Sequence, residues 1–142
     1  MPTRKPIILC IDDHESGLMG RKLFLEEQGY DVLTALDGRN GLQLFMSQLV
    51  DAVVLDYQMP EMNGDKVASQ MKSMKPEVPI LLLSGHHSLP RHKLNAVDAF
   101  LSKGEPMAVF LGSLQQLLNR SSFFDRWIGH WKYRVASRTG TA

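Results

Sequence analysis

The sequence predicts an α/β fold: a five-stranded parallel sheet, doubly wound, with a short amphipathic helix added at the C-terminus. Two observations lead there. Short apolar runs (Ile7–Ile11, Ala52–Leu55, Ile80–Leu83) recur along the chain, as expected of strands buried on both faces. Between them lie segments whose apolar residues keep helical spacing, and an alternation of strands and helices builds a parallel sheet. The length, 142 residues, suits one domain of roughly 100–200 residues.

The elements follow in order. Pro6 stands where a strand-opening proline is tolerated, and Ile7–Ile11 is the first strand. A helix from about Glu15 to Gln28 is expected to turn Met19 and Leu23 inward and to stop at Gly29. Val32–Ala35 reads as the second strand. Leu42, Phe45 and Leu49 mark the second helix. Ala52–Leu55 is the third strand, ending at Asp56. A loop, Met59-Pro60-Glu61-Met62-Asn63-Gly64, leads to a third helix with Val67, Met71 and Met74 on its inner face, closed by Pro76 and Pro79. Ile80–Leu83 is the fourth strand, ending at Ser84. From there to Ala99 the helical signal is weak: only Leu89, Leu94 and Val97 can face inward, so a short fourth helix is expected. Ala99–Leu101 is the fifth strand, just before Lys103. The last helix of the body carries Met107, Phe110, Leu111, Leu114 and Leu118 in one stripe.

Charge divides the chain. Up to Asn119 there are 11 Lys+Arg and 14 Asp+Glu; from Arg120 onward there are five basic residues and one acid. A mildly acidic body, residues 5–119, therefore precedes a basic extension, residues 120–142. The overall formal charge of +1 gives no electrostatic argument for nucleic acid or acidic substrates. No apolar run approaches the 18 or so residues that span a bilayer, and the N-terminus lacks the apolar region of a signal peptide. The single cysteine, Cys10, fits a reducing interior, so a cytoplasmic location is expected.

Asp12, Asp13, Asp56, Ser84 and Lys103 each follow an apolar strand directly or nearly so. In a parallel sheet the strands point one way, so these five converge on the edge where open α/β sheets bind ligands. Three carboxylates there resist ionisation unless a cation sits among them. Hard oxygen ligands supplied by few protein groups suit Mg²⁺. The carboxylates, one divalent cation and Lys103 then carry no net formal charge, and a neutral pocket with a hydroxyl donor can accept a phosphoryl group. Taken singly, each residue has a structural reading: a helix-capping acid, a turn residue, a loop hydroxyl, a solvated lysine. The joint pattern, in order at four strand ends, is what points to a site.

With those residues in place, the chain resembles a response-regulator receiver domain of two-component signalling, like the chemotaxis regulator. The resemblance covers about Lys5 to Asn119. It rests on Ile11-Asp12-Asp13, on the specific stretch Val54-Leu55-Asp56-Tyr57-Gln58-Met59-Pro60-Glu61-Met62-Asn63-Gly64, on Leu83-Ser84-Gly85, and on Phe100-Leu101-Ser102-Lys103. It implies a flavodoxin-like strand order, 2-1-3-4-5. It implies that Asp56 takes a phosphoryl group from a phosphohistidine on a histidine kinase or phosphotransfer protein. It implies that Asp13, Asp56 and the backbone carbonyl of Gln58 hold Mg²⁺, with Asp12 acting through water. Lys103 and Ser84 would contact the phosphoryl group, Phe100 would follow Ser84 inward as a packing switch, and Gln58 and His86 would tune the lifetime of the acyl phosphate. Output would pass to another, unidentified protein.

The chain departs from the family pattern in three places. Gly104 stands where a proline with a cis peptide is usual; a non-proline cis bond costs about 3–4 kcal/mol, so a trans loop with a less fixed Lys103 is expected. The segment from Ser84 to Lys103 is about three residues short, close to one helical turn. Serine also replaces the more frequent threonine at position 84. A receiver fold that binds protein without phosphorylation is the rival reading. A haloacid-dehalogenase-type phosphotransferase fits less well, because Gln58 replaces its second acid and its nucleophile follows the first strand. No Walker lysine loop or dinucleotide fingerprint is present, and the five histidines are too scattered to predict a zinc site.

In the extension, Ser122 and Asp125 fit a capping box, and Phe123, Trp127 and Trp131 with Phe124 and Ile128 make an amphipathic helix over about 122–134. A helix of that length is marginal alone. It is expected to dock on its own domain or a second copy (a homodimer), on a partner protein, or on a membrane surface. The extension is too short for a helix-turn-helix domain, so direct nucleic-acid binding is not expected.

Overall fold

A computed structural model describes residues 4–120. Within them β1 (Ile7–Ile11), α1 (Glu15–Glu27), β2 (Asp31–Ala35), α2 (Gly38–Ser47), β3 (Ala52–Asp56), α3 (Gly64–Met74), β4 (Ile80–Ser84) and β5 (Ala99–Ser102) follow in order. A last helix, α4, runs over 107–120. All strand pairs are parallel, and the sheet order is β2-β1-β3-β4-β5, as the resemblance implied. The amphipathic helix expected over about 122–134 lies outside the described residues.

Strand alternation divides the core into two layers. Leu9, Ile11, Val53, Leu55, Ile80 and Leu82 point to one face, where Phe45 of α2 and Val67 and Met71 of α3 cover them. Ile8, Cys10, Val54, Leu81 and Leu83 point to the other, under Leu18 and Leu25 of α1 and Phe110, Leu114 and Leu117 of α4. Because both faces are covered, β3 and β4 are buried along their whole length, which is why they read as unbroken apolar runs. Burial pushes the Cys10 thiol up to about 12, so this cysteine behaves as a small core hydrophobe.

Several expected inner-face residues stand outside. In α1, Met19 and Leu23 are 45% and 58% exposed, and Leu18 and Leu25 pack inward instead, with Arg21 between them on the same face. Leu49 lies beyond the end of α2 and is exposed, and Met74 and Met107 sit at helix ends where the core thins. The short helix expected between Ser84 and Ala99 is one 3₁₀ turn, Arg91–Leu94. Leu94 within the turn and Leu89 and Val97 on either side of it do pack on the core, but with so few apolar anchors a longer helix would have an unburied face.

Ion pairs hold this thin region. Lys93 pairs with Asp65 at 3.3 Å. Lys72 donates to Asp98 at 2.7 Å and to the Val78 carbonyl at 2.9 Å, while Asp98 also accepts the Ile80 N–H at 2.8 Å. Lys72→Met is therefore expected to lower stability by about 1 kcal/mol in urea unfolding.

Candidate functional site

Strand register builds the site. Ile11 lies beside Leu55, so Asp12, the next residue, emerges beside Asp56. Asp56 lies beside Leu83 and Ser84 beside Ser102, so Ser84 and Lys103 complete the same edge. Asp12, Asp56 and Ser84 are 1%, 2% and 0% exposed, and they are the buried polar side chains among the described residues. A fold that buries three polar residues side by side, and no others there, has built them into a site rather than a core.

Lys103 Nζ lies 2.9 Å from Asp56 Oδ1 and 3.3 Å from Asp12 Oδ2. Its backbone N–H donates to the Ser84 carbonyl at 2.7 Å, and no peptide bond among the described residues is cis. With Gly104 in a trans loop, the lysine still reaches both carboxylates. Asp12 Oδ1 accepts the His14 N–H at 2.9 Å, which fixes the start of α1. The Ser84 hydroxyl accepts the His86 N–H at 3.0 Å, and the Gln58 amide and the His86 ring lie 3.3 Å apart. Phe100 is half-buried on β5, packed against the core layer of α2 and α3.

The two buried carboxylates titrate in opposite directions. Burial raises the Asp56 pKa, and the neighbouring Asp12 and Asp13 charges add to it against the opposing pull of Lys103. Burial also works against ionised Asp12, but the His14 N–H, Lys103 and Arg21 together outweigh it and leave Asp12 below its usual value.

Asp13 Oδ1 and Asp56 Oδ2 are buried without a hydrogen-bond partner. The His14 ring nitrogen lies 3.2 Å from Asp13 Oδ1 but lacks the geometry of a bond. Donor atoms of Asp12, Asp13, His14 and Asp56 all fall within 4.8 Å of one another. Carboxylate oxygens turned toward a common point without a proton donor are what a hard divalent cation needs, so the residues present fit Mg²⁺.

Two residues here were not legible as site residues. His14, grouped with the scattered histidines, stands in the acidic cluster, exposed on its rim. Arg21 reaches Asp12 Oδ2 at 3.3 Å from α1. Its signal is a charged residue three positions after Leu18 and four before Leu25, which becomes visible once the inner face of α1 is set correctly.

The loop after β3 keeps Asp56 in position. Gly64 donates to the Tyr57 carbonyl at 2.7 Å, and a Cβ there would stand 2.5 Å from the Asp56 carbonyl and 2.9 Å from Leu82 Cδ1. Gly64→Ala is expected to cost about 1–2 kcal/mol, measured by urea unfolding.

A model of the response regulator receiver domain matches residues 8–108. The chain belongs to that family. This receiver domain is 34% identical over 125 residues to response regulator MprA of Mycolicibacterium vanbaalenii, covering 86% of this chain and 53% of that protein. The chain thus spans about half the length of that relative. The CheY-like receiver domain protein of Methanospirillum hungatei is 25% identical with a TM-score of 0.79, covering 83% of this chain and 97% of that one. Response regulator TrrA of Thermotoga maritima, solved with Mg²⁺ and BeF, is 29% identical with a TM-score of 0.75, covering 79% and 98%. TrrA has also been solved in complex with the histidine kinase ThkA. Receiver domains are signalling switches of two-component systems, and this chain carries the fold and the acidic pocket of one. Among the described residues no helix is long and apolar enough to cross a membrane.

Proposed function

We propose that this receiver domain accepts a phosphoryl group on Asp56 from a phosphohistidine of a partner kinase or phosphotransfer protein and passes the change to another protein by altering its surface. The observation that carries the proposal is the state of Asp56: buried, with one oxygen held by Lys103 and the other without a hydrogen-bond partner.

In the transfer, an Asp56 oxygen bonds to phosphorus as the P–N bond to the imidazole breaks, and the imidazole nitrogen keeps the electron pair and takes a proton. Positioning and charge neutralisation dominate such chemistry. Asp13, Asp56 and the Gln58 carbonyl would hold Mg²⁺, with Asp12 acting through water, and the ion when bound offsets charge on the phosphoryl oxygens. Lys103 then follows from Asp56 to a phosphoryl oxygen, and the Ser84 hydroxyl leaves the His86 N–H to donate to another. Phe100, packed beside that strand end, fills the space Ser84 leaves. The switch adds about −1.5 to −2 charge and biases the β4 loop between two arrangements.

Gln58 and His86 stand on the path of a hydrolytic water and set the lifetime of the acyl phosphate. Phosphorylation from a small-molecule donor and slow self-dephosphorylation belong to the same reading, as does a cytoplasmic location. Intact mass after incubation with acetyl phosphate and Mg²⁺ tests it. A gain of one phosphoryl group in the wild type and none in Asp56→Asn is expected. No adduct on the folded protein would overturn it in favour of a phosphorylation-independent binding module.

A further inference from the structure

Arg21 occupies an unusual place. It lies on the inner face of α1, between Leu18 and Leu25, where the packing against β1 and β2 is otherwise apolar. Its side chain is 14% exposed and Asp12 is 1% exposed. A guanidinium in such a position gives up most of its water, a cost that only a buried counter-charge offsets. That counter-charge is Asp12, at 3.3 Å, and the oxygen that Arg21 contacts, Oδ2, is also the one that Lys103 contacts. The pocket therefore holds two cations on one oxygen of Asp12 rather than Lys103 alone.

The second cation changes which state of the pocket is neutral. Asp12, Asp13 and Asp56 with Lys103 alone would reach zero formal charge on binding one divalent cation, and a phosphoryl group would then leave an excess of negative charge. With Arg21 included, the resting pocket becomes positive on taking up Mg²⁺. It returns to zero when the Asp56 carboxylate is converted to a phosphoryl dianion. Glu15 and Glu105 nearby are exposed, so water and salt screen their contribution.

The geometry points to Arg21 as a positioning residue that, through Asp12, weakens resting Mg²⁺ binding and favours the phosphorylated, Mg²⁺-bound form. This rests on the reading of Asp12, Asp13 and Asp56 as the Mg²⁺ and phosphoryl pocket. Two binding constants should then move in opposite directions when the charge is removed, because a more negative pocket attracts the cation and repels the anion. A role in folding alone would move neither, or weaken both.

The test measures Mg²⁺ affinity by calorimetry, and beryllofluoride affinity at saturating Mg²⁺, on the 142-residue chain as wild type, Arg21→Met, Arg21→Gln and Arg21→Lys. Met suits the apolar face, and Gln keeps a hydrogen-bond donor for Asp12, so the measurement survives if either fails to fold. In the two neutral variants Mg²⁺ should bind about tenfold tighter and beryllofluoride about tenfold weaker, with both constants within about twofold of wild type in Arg21→Lys. Unchanged constants in folded neutral variants, or constants that move in the same direction, would overturn the role of Arg21 while leaving the pocket intact. Failure of the wild type itself to bind Mg²⁺ would overturn the reading of the pocket and this inference with it.

Discussion

Lys103→Met is expected to destabilise the resting protein by about 2 kcal/mol at neutral pH without Mg²⁺. Breaking a buried ion pair from one side costs about 3–5 kcal/mol, and the partial exposure of Lys103, 31% of its side chain, reduces that through water screening. The cost falls on the partners. Asp56, whose pKa burial already raises against the pull of Lys103, loses the one cationic contact it has among the described residues. Asp12 keeps Arg21 and the His14 N–H and is less affected.

Two conditions should close the gap. Asp12 is held below its usual pKa, so its contribution is present above the unfolded-state carboxylate pKa and is lost as pH falls through the folded value. Urea unfolding of wild type and variant should therefore converge below the usual carboxylate range. Saturating Mg²⁺ should also narrow the difference, since the cation supplies the missing charge. A gap that is constant across pH and Mg²⁺ would mean that the lysine acts by packing its stem and not by its charge. Phosphoryl uptake from acetyl phosphate should fall steeply in the variant, because no other described cation contacts Asp56.

The elements of this fold differ in how plainly their sequences declare them. Buried strands announce themselves because both faces of the sheet are covered, and parallel connections send the residue after each strand to one edge. Asp12, Asp56, Ser84 and Lys103 follow from that rule without any knowledge of distances. Helix faces are harder. In α1, Met19 and Leu23 have the right spacing for a core stripe, yet the stripe the fold uses is Leu18, Arg21 and Leu25, and an arginine at its centre hides it. The reason lies in Asp12: a charged residue can occupy the inner face only where a buried counter-charge meets it, and that meeting depends on tertiary structure. The same holds for the segment after β4. A late start at Pro90 and three scattered apolar residues do not specify how much helix forms. The outcome, a single 3₁₀ turn, depends on Lys72, Asp98 and the Lys93–Asp65 pair, whose contacts are long-range. The positions of Ser84 and Phe100 were legible from register and apolar pattern; the bond that currently occupies the Ser84 hydroxyl, from the His86 N–H, was not.

Asp56→Asn should do the opposite of Lys103→Met in one respect: it should stabilise the fold while removing the proposed function. An ionised carboxylate at this position is disfavoured by burial and by two neighbouring carboxylates, which is why its pKa is raised in the folded protein. A raised carboxyl pKa means that the folded state holds its proton to higher pH than the unfolded chain does. Stability is therefore lost as pH climbs from the unfolded value through the folded one, and above that range ionised Asp56 is a standing cost. Asparagine keeps the shape and one acceptor oxygen for Lys103 but carries no charge. The expected gain at neutral pH without Mg²⁺ is about 1 kcal/mol, on the order of 4 °C in midpoint for a domain of this size. At a pH low enough to protonate Asp56 the two proteins should match, because the carboxyl is then as neutral as the amide. Mg²⁺ should stabilise the wild type more than the variant, so the order of stability should narrow or reverse as the ion is added. A variant less stable than the wild type at neutral pH without Mg²⁺ would mean that the pull of Lys103 on Asp56 outweighs burial and the neighbouring acids. The resting pocket would then be held together by its charges, and ionised Asp56 would not be a standing cost for Mg²⁺ to offset.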